Sequence, residues 1–174
     1  MARYGPVQTR TETISIPGAQ LTDHSTTRAV RRALPRLIET KSEEGFMTPV
    51  QIMVAAAKAM IENLAPADLA AELAHPDVLL VDVREPGETE AGVIPGAVLV
   101  PRGMLEFHAQ QGTRHHIEGF EPSQRVIVYS AAGSRSVLAV RSLHELGYHD
   151  VAHLEGGFEA WAQEGRPVTA PRTG

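Results

Sequence analysis

The chain has 174 residues, 43% hydrophobic and 21% charged, which is enough for one globular domain with a core plus an appendage, not for two full domains. Its net charge of −5 argues against a general nucleic-acid surface, and no apolar run approaches the roughly 18–20 residues a bilayer span needs. There is no cysteine, which excludes disulfides, thiolate metal sites and persulfide chemistry in this polypeptide.

Residues 1–46 read as an N-terminal extension, weakly ordered or carrying a short helix. Val30, Ala33, Leu34, Leu37 and Ile38 recur at helical spacing with arginines mostly outside the stripe, but Pro35 interrupts them. The Arg- and Ser/Thr-rich composition admits a targeting reading, against which stand Glu12, Asp23, Glu39, Glu43 and Glu44. No apolar signal segment is visible, so the cytoplasm is the expected compartment. The globular pattern starts at Met47, which could be an original start.

Thr48-Pro49 predicts an N-cap with proline at the first helical position, and Ile52, Met53, Ala56, Met60 and Leu64 mark one face of the helix it opens. Pro66 opens a second helix, to about Leu73. The run Val78 to Val83 predicts a buried strand, Ala97 to Val100 a short one, and Val126 to Tyr129 another buried one. A helix from about Ser134 to Leu146 closes at Gly147, Val151 to Leu154 is a further strand, and Gly156-Gly157 leads into a last helix with Phe158 and Trp161. Strands alternating with helices predict a parallel sheet covered on both faces.

In such sheets ligands sit beyond the carboxyl ends of the strands. Asp82-Val83-Arg84-Glu85, the loop Pro101 to Phe120, and Ser130 to Arg135 should converge there. The small residues Ala131, Ala132 and Gly133 between strand and helix let successive backbone N–H groups face one cradle, with the helix dipole behind them. That arrangement suits an anion or a thiolate of lowered pKa.

Four segments in order carry a resemblance: Val81-Asp82-Val83-Arg84-Glu85-Pro86, Glu90 to Ala97, Tyr129 to Ser136, and Leu154-Glu155-Gly156-Gly157-Phe158-Glu159-Ala160-Trp161. Together they resemble a rhodanese domain over about residues 47–168, leaving 169–174 as a C-terminal tail. Arg102 to Phe107 further resembles a bacterial single-domain subgroup with a leading helix. The resemblance implies an α/β, rhodanese-like three-layer fold, with a mostly parallel five-stranded sheet between helices. It also implies sulfane-sulfur transfer from thiosulfate or a similar donor to cyanide or a thiol, through a cysteine persulfide, with no cofactor. Ser130 then stands at the nucleophilic cysteine, Ala131, Ala132, Gly133, Ser134, Arg135 and Ser136 form the anion cradle, and Asp82 and Arg84 support it. Val93 replaces a histidine common in the family.

With serine at position 130 the chain is expected to be inactive as a persulfide enzyme, because oxygen cannot carry a transferable sulfur atom. An introduced Cys→Ser change and natural loss both account for it. The partners expected are a small anionic sulfur donor and a thiol acceptor, or, if the domain is a non-catalytic anion- or protein-binding module, a protein; neither nucleic acid nor a membrane is expected. A phosphatase would also need the missing thiolate, and usually has one more residue between nucleophile and arginine. Arg102, Glu106, His115 and His116 are candidates for a substrate mouth. His108, His115 and His116 lack metal-ligand spacing, so no metal site is expected. Arg84 is expected to pair with a neighbour such as Glu85 or Glu88, and His144, His149 and His153 are expected far from the site.

Overall fold

The computed structural model describes residues 47–171. Residues 1–46, and with them the short helix expected there, lie outside the described residues. The elements in order are α1 (Pro49–Lys58), β1 (Glu62–Leu64), α2 (Pro66–Glu72), β2 (Val78–Asp82), α3 (Pro86–Thr89), β3 (Val98–Leu99), a 3-10 turn (Arg102–Met104), α4 (Leu105–Ala109), β4 (Arg125–Tyr129), α5 (Ser134–Glu145), β5 (Val151–Leu154) and α6 (Gly157–Gln163). The five strands form one parallel sheet in the order β1-β5-β4-β2-β3.

The period of two along β4 builds two cores. Val126 and Val128 face one way, joining Val81, Leu105, Val140 and Leu143; Ile127 and Tyr129 face the other, joining Leu80, Leu69 and Trp161. Helices α4 and α5 cover the first face, α2 and α6 the second. This is the expected α/β architecture with helices on both sides of a five-stranded sheet, and the interior strands β2 and β4 are largely apolar because helices cover both of their faces. No helix among the described residues is long and apolar enough to cross a membrane.

Helix α1 begins as expected. The Thr48 hydroxyl accepts the Gln51 amide at 3.4 Å, and the Gln51 side chain accepts the Thr48 amide at 2.7 Å, a reciprocal cap. It ends sooner than its apolar stripe predicts. Ala59 caps it, Met60 is exposed in a turn, and Leu64 lies in β1, buried. The predicted stripe is not one buried face: Ile52, Met53, Ala56 and Met60 are exposed, and within the helix it is Ala57 that is buried. Near the other end, Thr169 exchanges backbone hydrogen bonds with Val93 at 2.8 and 3.0 Å, and the Trp161 indole donates to the Pro167 carbonyl.

Candidate active site

Because all strands run parallel, their carboxyl ends share one edge. Asp82 is in register with Tyr129, so the residues that follow β2 and β4 emerge at one level. After Tyr129 the chain turns through Ser130 to Gly133 and enters α5. Gly133 caps that helix at φ +95°, a left-handed conformation that a side chain resists.

The turn closes on Ser130. Its Oγ accepts the amides of Gly133 at 3.2 Å and Ser136 at 3.3 Å, and the residue is almost wholly buried. Among the described residues, the amides of Ala131, Ala132, Ser134 and Arg135 make no hydrogen bond. Ala132 and Ser134 are exposed, so this rim meets solvent. The first turn of a twelve-residue helix therefore adds donors and its positive end to a loop of small residues.

The loop's carbonyls point the other way, into the start of α6. Phe158 N–H donates to the Ser130 carbonyl at 2.8 Å and Glu159 N–H to the Ala131 carbonyl at 3.0 Å. Such close approach needs Gly157: a Cβ there would stand 2.2 Å from the Ser130 oxygen and 2.5 Å from that of Ala131. With these carbonyls bound to α6, the amides of Gly133 and Ser136 converge on Ser130 Oγ.

Asp82 and Arg84 are buried beneath this edge and bind each other. The Arg84 guanidinium donates Nε and Nη2 to the Asp82 carboxylate at 3.0 and 2.7 Å, and further N–H groups to the carbonyls of Glu88 at 3.1 Å and Gly92 at 2.9 Å. The partner is Asp82, not the expected Glu85 or Glu88 side chain, because residues two apart on an extended chain share a face. Arg84 also lies 4.0 Å from the Phe158 ring centre, so one cation ties β2, the loop around α3 and the start of α6. The Tyr129 hydroxyl accepts the Ile94 amide at 3.2 Å; burial, then the Asp82 charge, pushes its pKa up.

Arg135, at the end of the loop, is held by an ion pair. Its guanidinium grips the Glu88 carboxylate with two bonds of 2.6 and 2.5 Å, and Glu88 also accepts the Glu85 amide at 2.9 Å. The guanidinium first, and that amide second, lower the Glu88 pKa to about 2. Both side chains are more than a third exposed, so the pair is screened by water.

The four mouth candidates make no hydrogen bond to the Ser130–Ser136 loop among the described residues. Arg102 donates to Glu106 at 2.8 Å and to the Ser142 hydroxyl at 2.8 Å. Ser142 is eight residues along α5 from Ser134, about 12 Å down the helix. His115 and His116 belong to the loop after α4: Arg114 Nε lies 2.9 Å from His115 Nε2, and His116 Nδ1 lies 3.1 Å from the His108 carbonyl. Among the described residues no group of histidines and carboxylates could hold a metal ion.

His153 is nearer the site than its place in the sequence suggests. It is buried in β5, with Nδ1 3.3 Å from the Ser136 hydroxyl and Nε2 2.9 Å from Asn63 Oδ1. Burial first, then Lys58, lowers its pKa to about 4. The available signal was a histidine inside an otherwise apolar buried strand.

Comparison with known proteins identifies the family of the domain. The family model of the rhodanese-like domain matches residues 65–164. A sulfurtransferase of Allochromatium vinosum is 36% identical over 95 residues, 55% of this chain and 81% of that protein. The chloroplastic thiosulfate sulfurtransferase 16 of Arabidopsis thaliana is 32% identical over 118 residues, covering 63% of this chain and 98% of that one. Among solved structures, a Rhodopseudomonas palustris protein of unknown function, described as a possible tyrosine phosphatase, superposes with a TM-score of 0.66 at 35% identity, covering 74% of this chain and all of that one. The chain belongs to the rhodanese family of sulfurtransferase-like domains.

Proposed function

We propose that this chain keeps the anion cradle of a rhodanese and lacks its persulfide chemistry, so that it binds a small sulfur oxyanion such as thiosulfate without turning it over. The observation that carries the reading is the Ser130 hydroxyl, which receives the Gly133 and Ser136 amides where a reacting thiolate would sit, in a chain with no cysteine.

The chemistry a thiol would perform there is simple. A thiolate attacks the outer sulfur of thiosulfate, a sulfur–sulfur bond forms, and sulfite leaves with the electron pair. Cyanide or an acceptor thiol then removes the outer sulfur and the thiolate is regenerated. Amides and a helix N-terminus draw a thiol of pKa near 8.5 toward its anion. A serine hydroxyl titrates far higher and needs an adjacent base. The buried histidine is turned to Ser136 and Asn63, so it is not that base. A phosphatase reading meets the same lack of a thiolate.

The test is Ser130→Cys, assayed for sulfur transfer from thiosulfate to cyanide. Turnover by the variant and none by the Ser130 chain supports the reading. A folded Ser130→Cys protein without turnover would favour the second reading, a module that grips an acidic group of a protein partner through the free amides of the same cradle.

A further inference from the structure

Behind the cradle runs a chain of hydrogen bonds that the sulfur chemistry does not require. The Asn63 amide is fixed in orientation, because its Nδ2 donates to the carbonyls of Ile61 at 2.8 Å and Lys58 at 3.2 Å. Its Oδ1 must therefore accept, and His153 Nε2 must carry a hydrogen. In a neutral ring Nδ1 then has only a lone pair to offer. It faces Ser136 Oγ at 3.3 Å, whose single proton has a closer acceptor in the Gly133 carbonyl at 2.7 Å. A second proton on the ring would complete the set: Nδ1–H to Ser136 Oγ, and Ser136 O–H to Gly133.

We infer that His153 is a proton-linked positioning residue of the cradle, taking a proton from solvent on Nδ1 when an anion enters. The inference rests on the anion-binding reading above. Ser136 is the joint, since its hydroxyl meets His153 while its amide donates to Ser130 Oγ. Gly133, whose carbonyl holds the Ser136 hydroxyl, supplies the other amide to that oxygen. A ring cation so placed would fix the two amides that hold Ser130 Oγ, and with them the turn that presents the free amides, and would add a positive charge next to the loop in a buried setting where charges act strongly. The charged groups that act on the ring are Lys58 at the end of α1, which opposes the proton, and Glu155 after β5, which favours it. These two pair with each other at 2.5 Å, so their net effect is small beside burial. An arriving anion supplies the missing counter-charge.

Calorimetric titration with sodium thiosulfate, in buffers of differing ionisation enthalpy, counts the protons taken up. The full chain should take up a sizeable fraction of one proton at about pH 5, with affinity rising on the order of tenfold from about pH 7 to about pH 5. His153→Gln can still donate to Asn63 but cannot titrate; it should bind thiosulfate without proton uptake and vary less than about twofold. Nitrogen NMR of the imidazole should show the Nε2–H tautomer, and Ser136→Ala should move its titration to lower pH. Equal proton uptake in His153→Gln, or a titration indifferent to Ser136→Ala, overturns the inference and leaves anion binding standing. Absence of thiosulfate binding in both proteins defeats the cradle reading and the linkage together.

Discussion

Replacing Gly157 with alanine tests whether α6 shapes the loop at Ser130. The new Cβ would lie 2.2 Å from the Ser130 carbonyl oxygen, 2.5 Å from the Ala131 oxygen and 2.9 Å from the Ala131 carbonyl carbon. All three are backbone atoms, so no rotamer relieves the clash. The residue also has φ +61°, where a side chain costs about 1–2 kcal/mol. Moving the loop away adds overpacking strain of about 1–3 kcal/mol. It also stretches the bonds from Phe158 and Glu159 to the loop, each worth about 1 kcal/mol. With both bonds lost, the sum is about 4–7 kcal/mol, a large part of a small domain's stability. Gly165 is the control, with φ +67° and open space where its Cβ would go. Gly165→Ala should cost only the conformational part, about 1–2 kcal/mol. Urea unfolding of the two variants reads the difference directly. Equal losses would mean that α6 does not press on the loop, and would contradict its role in shaping the turn around Ser130.

Asp82→Ala strands the buried Arg84 cation and should cost about 3–5 kcal/mol in the same unfolding assay. Because burial holds the His153 pKa near 4, below the ordinary histidine value, the folded protein binds fewer protons than the unfolded chain in that window. Stability is therefore complete above about pH 6.5 and falls as pH drops toward about 4, by on the order of 3 kcal/mol in total. His153→Gln should flatten that decline in unfolding curves taken across the range. Arg135→Ala removes the cation beside Glu88, and carboxyl NMR should then find the Glu88 titration moved up from about 2 toward the usual carboxylate range.

Among the strands, the most legible in the sequence were those covered on both faces. Val78 to Val83 and Val126 to Tyr129 are near-continuous apolar runs, and the structure uses them as two of the three interior strands. Strand β1 was illegible because Glu62 and Asn63 are exposed and only Leu64 is buried, too little for any period to show. The turn from Ser130 to Ser136 was readable from its small residues and the helix after it. The partners around it were not, since they depend on register: Val128 lies beside His153, and Asn63 pairs with His153 on the other side. Those pairings put a polar ring behind the cradle, a juxtaposition no local pattern contains. The Arg135–Glu88 pair is likewise a contact between segments 47 residues apart.

Intact-protein mass spectrometry after exposure to thiosulfate tests the central claim most directly. The Ser130 chain should keep its mass unchanged, while Ser130→Cys should gain one sulfur atom and release it to cyanide. A sulfur adduct on the Ser130 chain, or none on a folded Ser130→Cys protein, would contradict the claim that this cradle suits a thiolate which the chain does not have.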